Sequence, residues 1–445
     1  MNTNLKTPGV YIEELSLLPP SIAQISTAVP VFLGITENAV AEPARISSLK
    51  EYETIFGGAY KHLYNITLLP NLAPEVTVNG TTPELGSRFF YEAIQLYFAN
   101  GGGPCYIMSV GTHLDNVSPG DFVTQIEEIE KLDEPTIIAF PEAANFDLNE
   151  YQLVTSAAFT VCAEVKDKFV LIDTPSTIDV TKSGTSTDLA DFRGILASNS
   201  LNYGAVYFPH LEATIRYQFS SASTYTGDSL ATLKTSGGAD YQIAVDLLNE
   251  AGKVVLPPSS LMAGVYAAVD RAVGVWKAPA NVALQGVVKP IVAISDNKQA
   301  LLNVDANSGK SINAIRSFAS KGTIVWGART LDGNSNEWRY ISVRRLFMVA
   351  EESIKKASSQ FVFEPNDAKT WVKVSAMISS YLNELWRDGA LAGATPKEAY
   401  FVNVGLGATM TQQDVLEGKM IVQVGMAAVR PAEFIVLEFS HFMNQ

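Results

Sequence analysis

The 445-residue sequence is 47% hydrophobic and 18% charged, with a formal net charge of −14. That is ample apolar material for a large core divided over two or three domains. The acidic balance disfavours a nucleic-acid surface, which needs a concentrated basic face, and disfavours docking on anionic membrane. Cys105 and Cys162 lie in apolar contexts and read as small buried hydrophobes; with only four scattered histidines, little is left for a zinc site. The start lacks a basic segment followed by an apolar run, so no signal peptide is expected. No run of about 18 apolar residues predicts a membrane span. Folding in a reducing cytoplasm is the expectation.

In chain order, a polar start ends in Pro8-Gly9, and Val10-Tyr11-Ile12 reads as a short strand followed by Glu13 and Glu14. After Pro19-Pro20, the apolar run Val29–Ile35 predicts a buried strand. Ser48 is placed to cap a helix over Leu49–Phe56, which Gly57-Gly58 stops. Residues 59–82 show no clear period and read as an inserted excursion. A helix is expected from Pro83 to about Asn100, with Phe89, Phe90, Ala93, Leu96 and Tyr97 as its stripe, then strand Cys105–Val110.

Helix and strand then alternate: Phe122–Leu132, Thr136–Phe140, Leu148–Val165, Phe169–Asp173, Leu189–Ser198 and Ala205–Phe208. Such alternation predicts a parallel sheet covered by helices. Two Ser/Thr/Gly-rich stretches, 174–188 and 220–239, are expected as exposed loops.

Ser260–Val275 predicts a helix of small residues. Trp338–Ala357 predicts a long amphipathic one with Tyr340, Val343, Phe347, Ala350 and Ile354 on one face, and Glu351–Lys355 and Glu352–Lys356 pairs on the other. Pro365 breaks the chain. Asn366 is placed to cap a second helix that buries Trp371, Val374, Ile378, Tyr381 and Leu385 and stops at Gly389. The end reads as β: Lys419–Val429, then, past Pro431, Glu433–Met443, with Ile435, Leu437, Phe439 and Met443 on one face. A terminal strand of this kind is a hazard unless another strand completes it.

The fragments that suggest chemistry are weak. Gly309-Lys310-Ser311 resembles the end of a P-loop, but Val304 stands where the motif needs glycine, and a solvated helix start is the expectation. Gly405-Leu406-Gly407 lacks its third glycine, which is Met410, and reads as a turn. Gly227-Asp228-Ser229-Leu230 spells the nucleophile block of one lipase family. That family places an aspartate two residues before its histidine; the four histidines here follow Tyr60, Gly111, Phe208 and Phe439 at that distance. Glu438 and His441 would share a metal only on a helix, and the local pattern is strand. No catalytic, cofactor-binding or metal-binding residue is assigned, and no cofactor is expected. A soluble α/β hydrolase using Ser229 is the remote alternative.

Several blocks together resemble the tail sheath family of contractile phage tails and contractile injection systems. They are Thr7-Pro8-Gly9-Val10-Tyr11-Ile12-Glu13-Glu14, Ala28–Gly34 and Phe98–Gly103. Gly264–Arg271 with Val275–Asn281, Ile324–Leu331, Arg339–Leu346 and Phe363–Asp367 follow in order. Residues 112–250 match only in fold pattern. The closing Phe439-Ser440-His441-Phe442 looks closest to extracellular phage-tail-like injection particles.

The resemblance implies a mixed α/β fold. Its inner domain is formed by both chain ends, with a middle α/β domain, outer insertions and extended terminal β-strand arms. The expected division is an arm at 1–24, an inner/middle part at 25–111, a middle and outer α/β domain at 112–300, a C-terminal inner domain at 301–432 and an arm strand at 433–445. It further implies a structural subunit that polymerises helically around an inner tube and contracts to drive it through a target envelope. A minor or baseplate-proximal paralogue is the alternative.

The expected partners are neighbouring copies, the inner tube protein, and baseplate and terminator or cap proteins, with no nucleic acid and no membrane insertion. Assembly would be cytoplasmic, in a phage tail or a released or anchored particle. Val10, Tyr11, Ile12 and Glu13 at one end, and Phe434, Ile435, Val436, Leu437, Glu438 and Phe439 at the other, are the expected inter-subunit strands. Arg344, Arg345, Lys355 and Lys356 are the candidate tube-facing residues.

Overall fold

A computed structural model describes residues 21–67, 75–78, 87–176, 189–196, 199–305 and 307–434. The chain divides into two compact units: a larger one, Ile25–Glu352, which the chain rejoins at Val429, and a smaller one centred on Ser353–Ala428. Val10–Glu13 and Ile435–Phe439 lie outside the described residues.

At the centre of the larger unit is an eight-stranded sheet. Its spatial order is Gly322–Val325, Ile312–Phe318, Gly204–Phe208, Phe169–Asp173, Ile137–Ala139, Pro30–Thr36, Cys105–Thr112, Ala44–Ile46. The six inner strands run parallel and the two edge strands antiparallel. Parallel strands need helical crossovers and are covered by them, so Pro30–Thr36, Phe169–Asp173 and Gly204–Phe208 are buried at every position and read as unbroken apolar runs. The helix Leu148–Val165 and strand Phe169–Asp173 form with the bounds expected, and Asp147 and Glu150 close a capping box at the helix start. Cys105 and Cys162 are buried free thiols.

The helix Ser259–Ala272 is buried along most of its length. Asp173, at the end of a central strand, accepts from the Ser259 N–H at 2.9 Å. A Cβ on Gly264 would lie 2.5 Å from the Tyr97 carbonyl, so glycine is what allows this helix to approach helix Phe90–Ala99. The Tyr266 hydroxyl meets that of Tyr207 at 2.8 Å.

Glu142 serves the neighbouring helix in the same way. Its carboxylate accepts from the N–H groups of Phe89 and Phe90 at 2.9 and 3.2 Å and of Ile35 at 2.7 Å. Burial pushes this carboxyl up to about 7, while the three donors and the helix N-terminus favour its charged form. Glu92 lies within that helix, and its Oε2 has no protein donor; burial pushes it up to about 8, so it is neutral at pH 7.

The long helix forms as Ile341–Ser358, but Arg344 and Arg345 do not lie on a solvated face. Arg345 is 3% exposed; it pairs with the equally buried Asp270 at 2.6 Å and donates to the Thr27 carbonyl at 2.9 Å. Arg344 stacks on the rings of Tyr203 and Trp338 at 4.4 and 4.6 Å and donates to the Tyr203 hydroxyl at 2.7 Å. Periodicity marks charged positions as an outer face because burial of a charge is costly; a buried partner from another helix reverses that, and no local pattern reports it.

Other expectations are also corrected. Lys310 starts no helix: it is buried, donates to the carbonyls of Arg193 and Leu196 at 2.7 and 2.9 Å, and leads directly into strand Ile312–Phe318. Residues 220–239 are not a plain exposed loop, and the described parts of 59–82 pair with them. Tyr64–Thr67 pairs with Glu75–Val78 and with Thr224–Tyr225, which pairs with Asp228–Ser229. Tyr64, Ile66, Tyr225, Leu230, Leu233, Ala244 and Leu248 give this lobe its own small core. The helix expected from Pro83 begins only at Phe90, with Phe89 as its N-cap and residues 87–89 outside the helix.

In the smaller unit, helix Ala368–Arg387 buries Val374, Met377, Ile378, Tyr381, Leu382 and Leu385. Its cap is Asp367 rather than Asn366, which instead accepts from the Trp371 indole at 2.7 Å. Trp371 itself is only half-buried.

Glu142→Gln is expected to destabilise the larger unit by about 2–3 kcal/mol, because an amide turns an N–H towards one of the three donors. Glu92→Gln is expected to be close to neutral near pH 4 and to stabilise relative to the parent at pH 7, where the unfolded carboxyl ionises and the buried one does not. Because Glu92 titrates above its unfolded value, its contribution is fully present below that value and is lost as pH rises through about 8. Urea unfolding of both variants across pH 4 to 9 checks this. Arg345→Ala should cost about 3–5 kcal/mol by stranding a buried Asp270 charge, read by the same unfolding curves.

Candidate assembly interface

The smaller unit ends in a two-stranded antiparallel sheet, Tyr400–Val404 with Val422–Met426, in the register Tyr400↔Met426 to Val404↔Val422. Among the described residues no other strand pairs with either, so both outer edges stand open. The helix Ala368–Arg387 packs against this sheet, which two strands alone would not stabilise. Phe401 is 53% exposed, and its ring lies over Gly425, where a Cβ would sit 2.1 Å from it. An aromatic covering a cross-strand glycine pins the register of a pair that has no third strand to hold it. Elsewhere in this unit Phe363 is fully exposed and holds φ at +71°, a strained conformation for a bulky residue.

The C-terminal stretch re-enters the larger unit through Glu433. The guanidinium of Arg329 grips that carboxylate, Nε to Oε1 at 3.0 Å and Nη2 to Oε2 at 2.6 Å. Asn303 donates to it at 3.0 Å and the Tyr340 hydroxyl at 3.4 Å. Burial opposes the charge, but the bonds from Arg329 and Asn303 outweigh it and hold the Glu433 carboxyl below its usual range. Phe434, the first expected arm residue, is 72% exposed; the remaining arm candidates lie outside the described residues. Sequence reading missed both Arg329 and Glu433. The available signal was a single charge inside an otherwise apolar block on each side, Ile324–Leu331 and Ala432–Leu437, since charges in such settings are seldom found without a partner.

Of the four candidate tube-facing residues, Arg344 and Arg345 are committed to the subunit interior, whereas Lys355 is exposed and Lys356 half-exposed. The Ser229 hydroxyl caps helix Leu230–Ser236, accepting from the Thr232 N–H at 3.2 Å. Among the described residues no group of three or more His, Cys, Asp or Glu could hold a metal, and no helix is long and apolar enough to cross a membrane.

Residues 334–441 match the phage tail sheath C-terminal domain family. The tail sheath protein of Burkholderia phage BcepMu is 32% identical over 142 residues, 31% of this chain and 29% of that protein. That of Enterobacteria phage T4 is 24% identical over 164 residues, 36% of this chain and 24% of that protein, so the matched stretch spans under a third of these relatives.

Solved structures match far more fully. A chain in the sheath complex of the extracellular contractile injection system PVC, in its contracted state, is 34% identical with a TM-score of 0.69, over 98% of this chain and 97% of that one. The contracted helical sheath of the anti-feeding prophage is 35% identical with a TM-score of 0.66, over 98% and 99%. A chain of that particle's baseplate structure matches with 35% identity and a TM-score of 0.67, over 98% and 99%. With a third of its residues shared over nearly the whole length of these chains, the protein belongs to the contractile sheath family of phage tails and contractile injection systems.

Proposed function

We propose that this chain is the main sheath subunit of an extracellular contractile particle, polymerising as helical rings around an inner tube. The observation that carries this reading is the open two-stranded sheet Tyr400–Val404 with Val422–Met426, in a chain whose C-terminal sequence has the alternating apolar pattern expected of a further strand. In this reading the terminal arms of one copy, Val10–Glu13 and Phe434–Phe439, complete such sheets on neighbouring copies. That is β-augmentation: main-chain hydrogen bonds give the link, and alternate side chains give the register. Each bond contributes about 0.5–1.5 kcal/mol net, so one strand holds two subunits together while their bodies change contacts.

Contraction then draws its energy from a better-packed lattice formed from a metastable extended one. Such a mechanism uses no nucleophile and no fuel site, and it suits a Ser229 hydroxyl occupied as a helix cap. The partners in this reading are copies of the chain, a tube protein, and baseplate and cap proteins. The match to a baseplate-structure chain favours one second reading, a baseplate-proximal paralogue with the same fold.

Deleting residues 434–445 is expected to leave folded, soluble subunits that form no sheath in negative-stain electron microscopy; sheaths of normal appearance would refute the arm reading. Lys355→Glu with Lys356→Glu should lower co-assembly with the tube protein at least fivefold while leaving tube-free polymers intact. Equal tube loading would remove these lysines from the tube contact. A subunit that never polymerises without baseplate proteins would favour the second reading.

A further inference from the structure

The residues 429–434 that lead to the C-terminal arm bury little apolar surface: Val429, Arg430 and Phe434 are exposed, and Pro431 is half-buried. What ties them down is polar. Glu433 is gripped by Arg329, Asn303 and Tyr340, which come from three separate parts of the larger unit: a turn beyond strand Gly322–Val325, the end of helix Asp296–Asn303, and the approach to helix Ile341–Ser358. Arg329 is itself rigidly placed. It is 4% exposed, its N–H donates to Asn313 Oδ1 at 2.8 Å, and its Nη1 donates to the Gly333 carbonyl at 3.1 Å. A lone surface ion pair contributes little, but a forked guanidinium–carboxylate contact with two further donors fixes direction as well as distance. The tie before it in the chain is the bridge of Ala428 to Leu391, in the smaller unit.

We propose that the Arg329–Glu433 clasp is the mooring of the C-terminal arm, making Glu433 the residue that sets where and in which direction residues 434–445 leave the subunit. The proposal rests on the arm reading above. An arm finds a neighbour's sheet edge at an effective concentration set by the length of loose chain between its fixed root and its strand. With the clasp closed, no loose chain separates the root at Glu433 from the expected strand that begins at Phe434, and the root moves with the larger unit. With the clasp open, the root falls back to Ala428 and to the smaller unit. The strand is then free to pair in more than one register, and a one-residue slip turns its apolar face outwards.

The test uses the full chain with Glu433→Ala and Glu433→Asp, beside the 434–445 deletion. Arg329 is left alone because it also holds the Gly333 carbonyl. For Glu433→Ala, amide hydrogen exchange across residues 430–434 should rise at least tenfold, with exchange in the central sheet unchanged. The yield of ordered sheath should fall at least tenfold, with the melting temperature of the soluble subunit within about 2 °C of the parent. Glu433→Asp should lie between the two.

If Glu433→Ala assembles at parental yield while the deletion does not, the mooring is overturned and the arm reading stands. If the deletion also assembles, the arm reading falls and takes the mooring with it. A melting temperature lowered by more than about 5 °C in Glu433→Ala would overturn the proposal in favour of a role in the stability of the body.

Discussion

The ion pair between Asp270 and Arg345 is the contact on which the larger unit depends. Asp270 lies in the last turn of a buried helix, where the helix dipole already disfavours a negative charge. Away from water, an unmatched carboxylate there would cost several kcal/mol. One guanidinium answers both problems, and its remaining donor capacity reaches the Thr27 carbonyl just before the first strand. Three distant parts of the chain therefore meet at a single side chain. The opposite end of the same helix is closed by Asp173, and its middle lies against helix Phe90–Ala99 through Gly264.

This arrangement gives a body with few places to deform. Two adjacent buried helices are each started by a carboxylate from another element, Asp173 for one and Glu142 for the other. Such caps hold only in one geometry, because a shift of an ångström or two leaves several buried N–H groups unsatisfied. A packed parallel sheet with helices locked on it moves as a unit. That is the property a sheath subunit needs if contraction exchanges contacts between copies rather than within them.

The deformable features are placed elsewhere. The open pair Tyr400–Val404 with Val422–Met426 presents backbone donors and acceptors instead of a finished surface, and Phe401 over Gly425 keeps that pair in one register. Residues 429–434 are tied by the Arg329–Glu433 clasp rather than by core packing, and Phe434 beyond it is exposed. In the proposed arm reading, rigid bodies joined by added strands separate the two demands on such a polymer, since the links persist while the body contacts change.

Much of the architecture was legible without coordinates. Leu49–Phe56, Leu148–Val165 and Phe169–Asp173 form with the expected bounds, because caps, apolar period and glycine stops are local and agree with one another. The alternation of elements likewise determined a parallel sheet. The fate of the charges was not legible. Arg344, Arg345 and Lys310 carry the same local signature as solvated residues, yet all three are buried on partners far away in sequence. The turn-rich segments around Tyr64 and Tyr225 looked like loops because neither has a core alone; they become one lobe only when paired. By itself the sequence determined the helices and strands whose caps and apolar period are local, and, through its terminal blocks, the family. The tertiary structure alone decided which charges are interior and which edges remain open, because both depend on partners that long-range packing supplies.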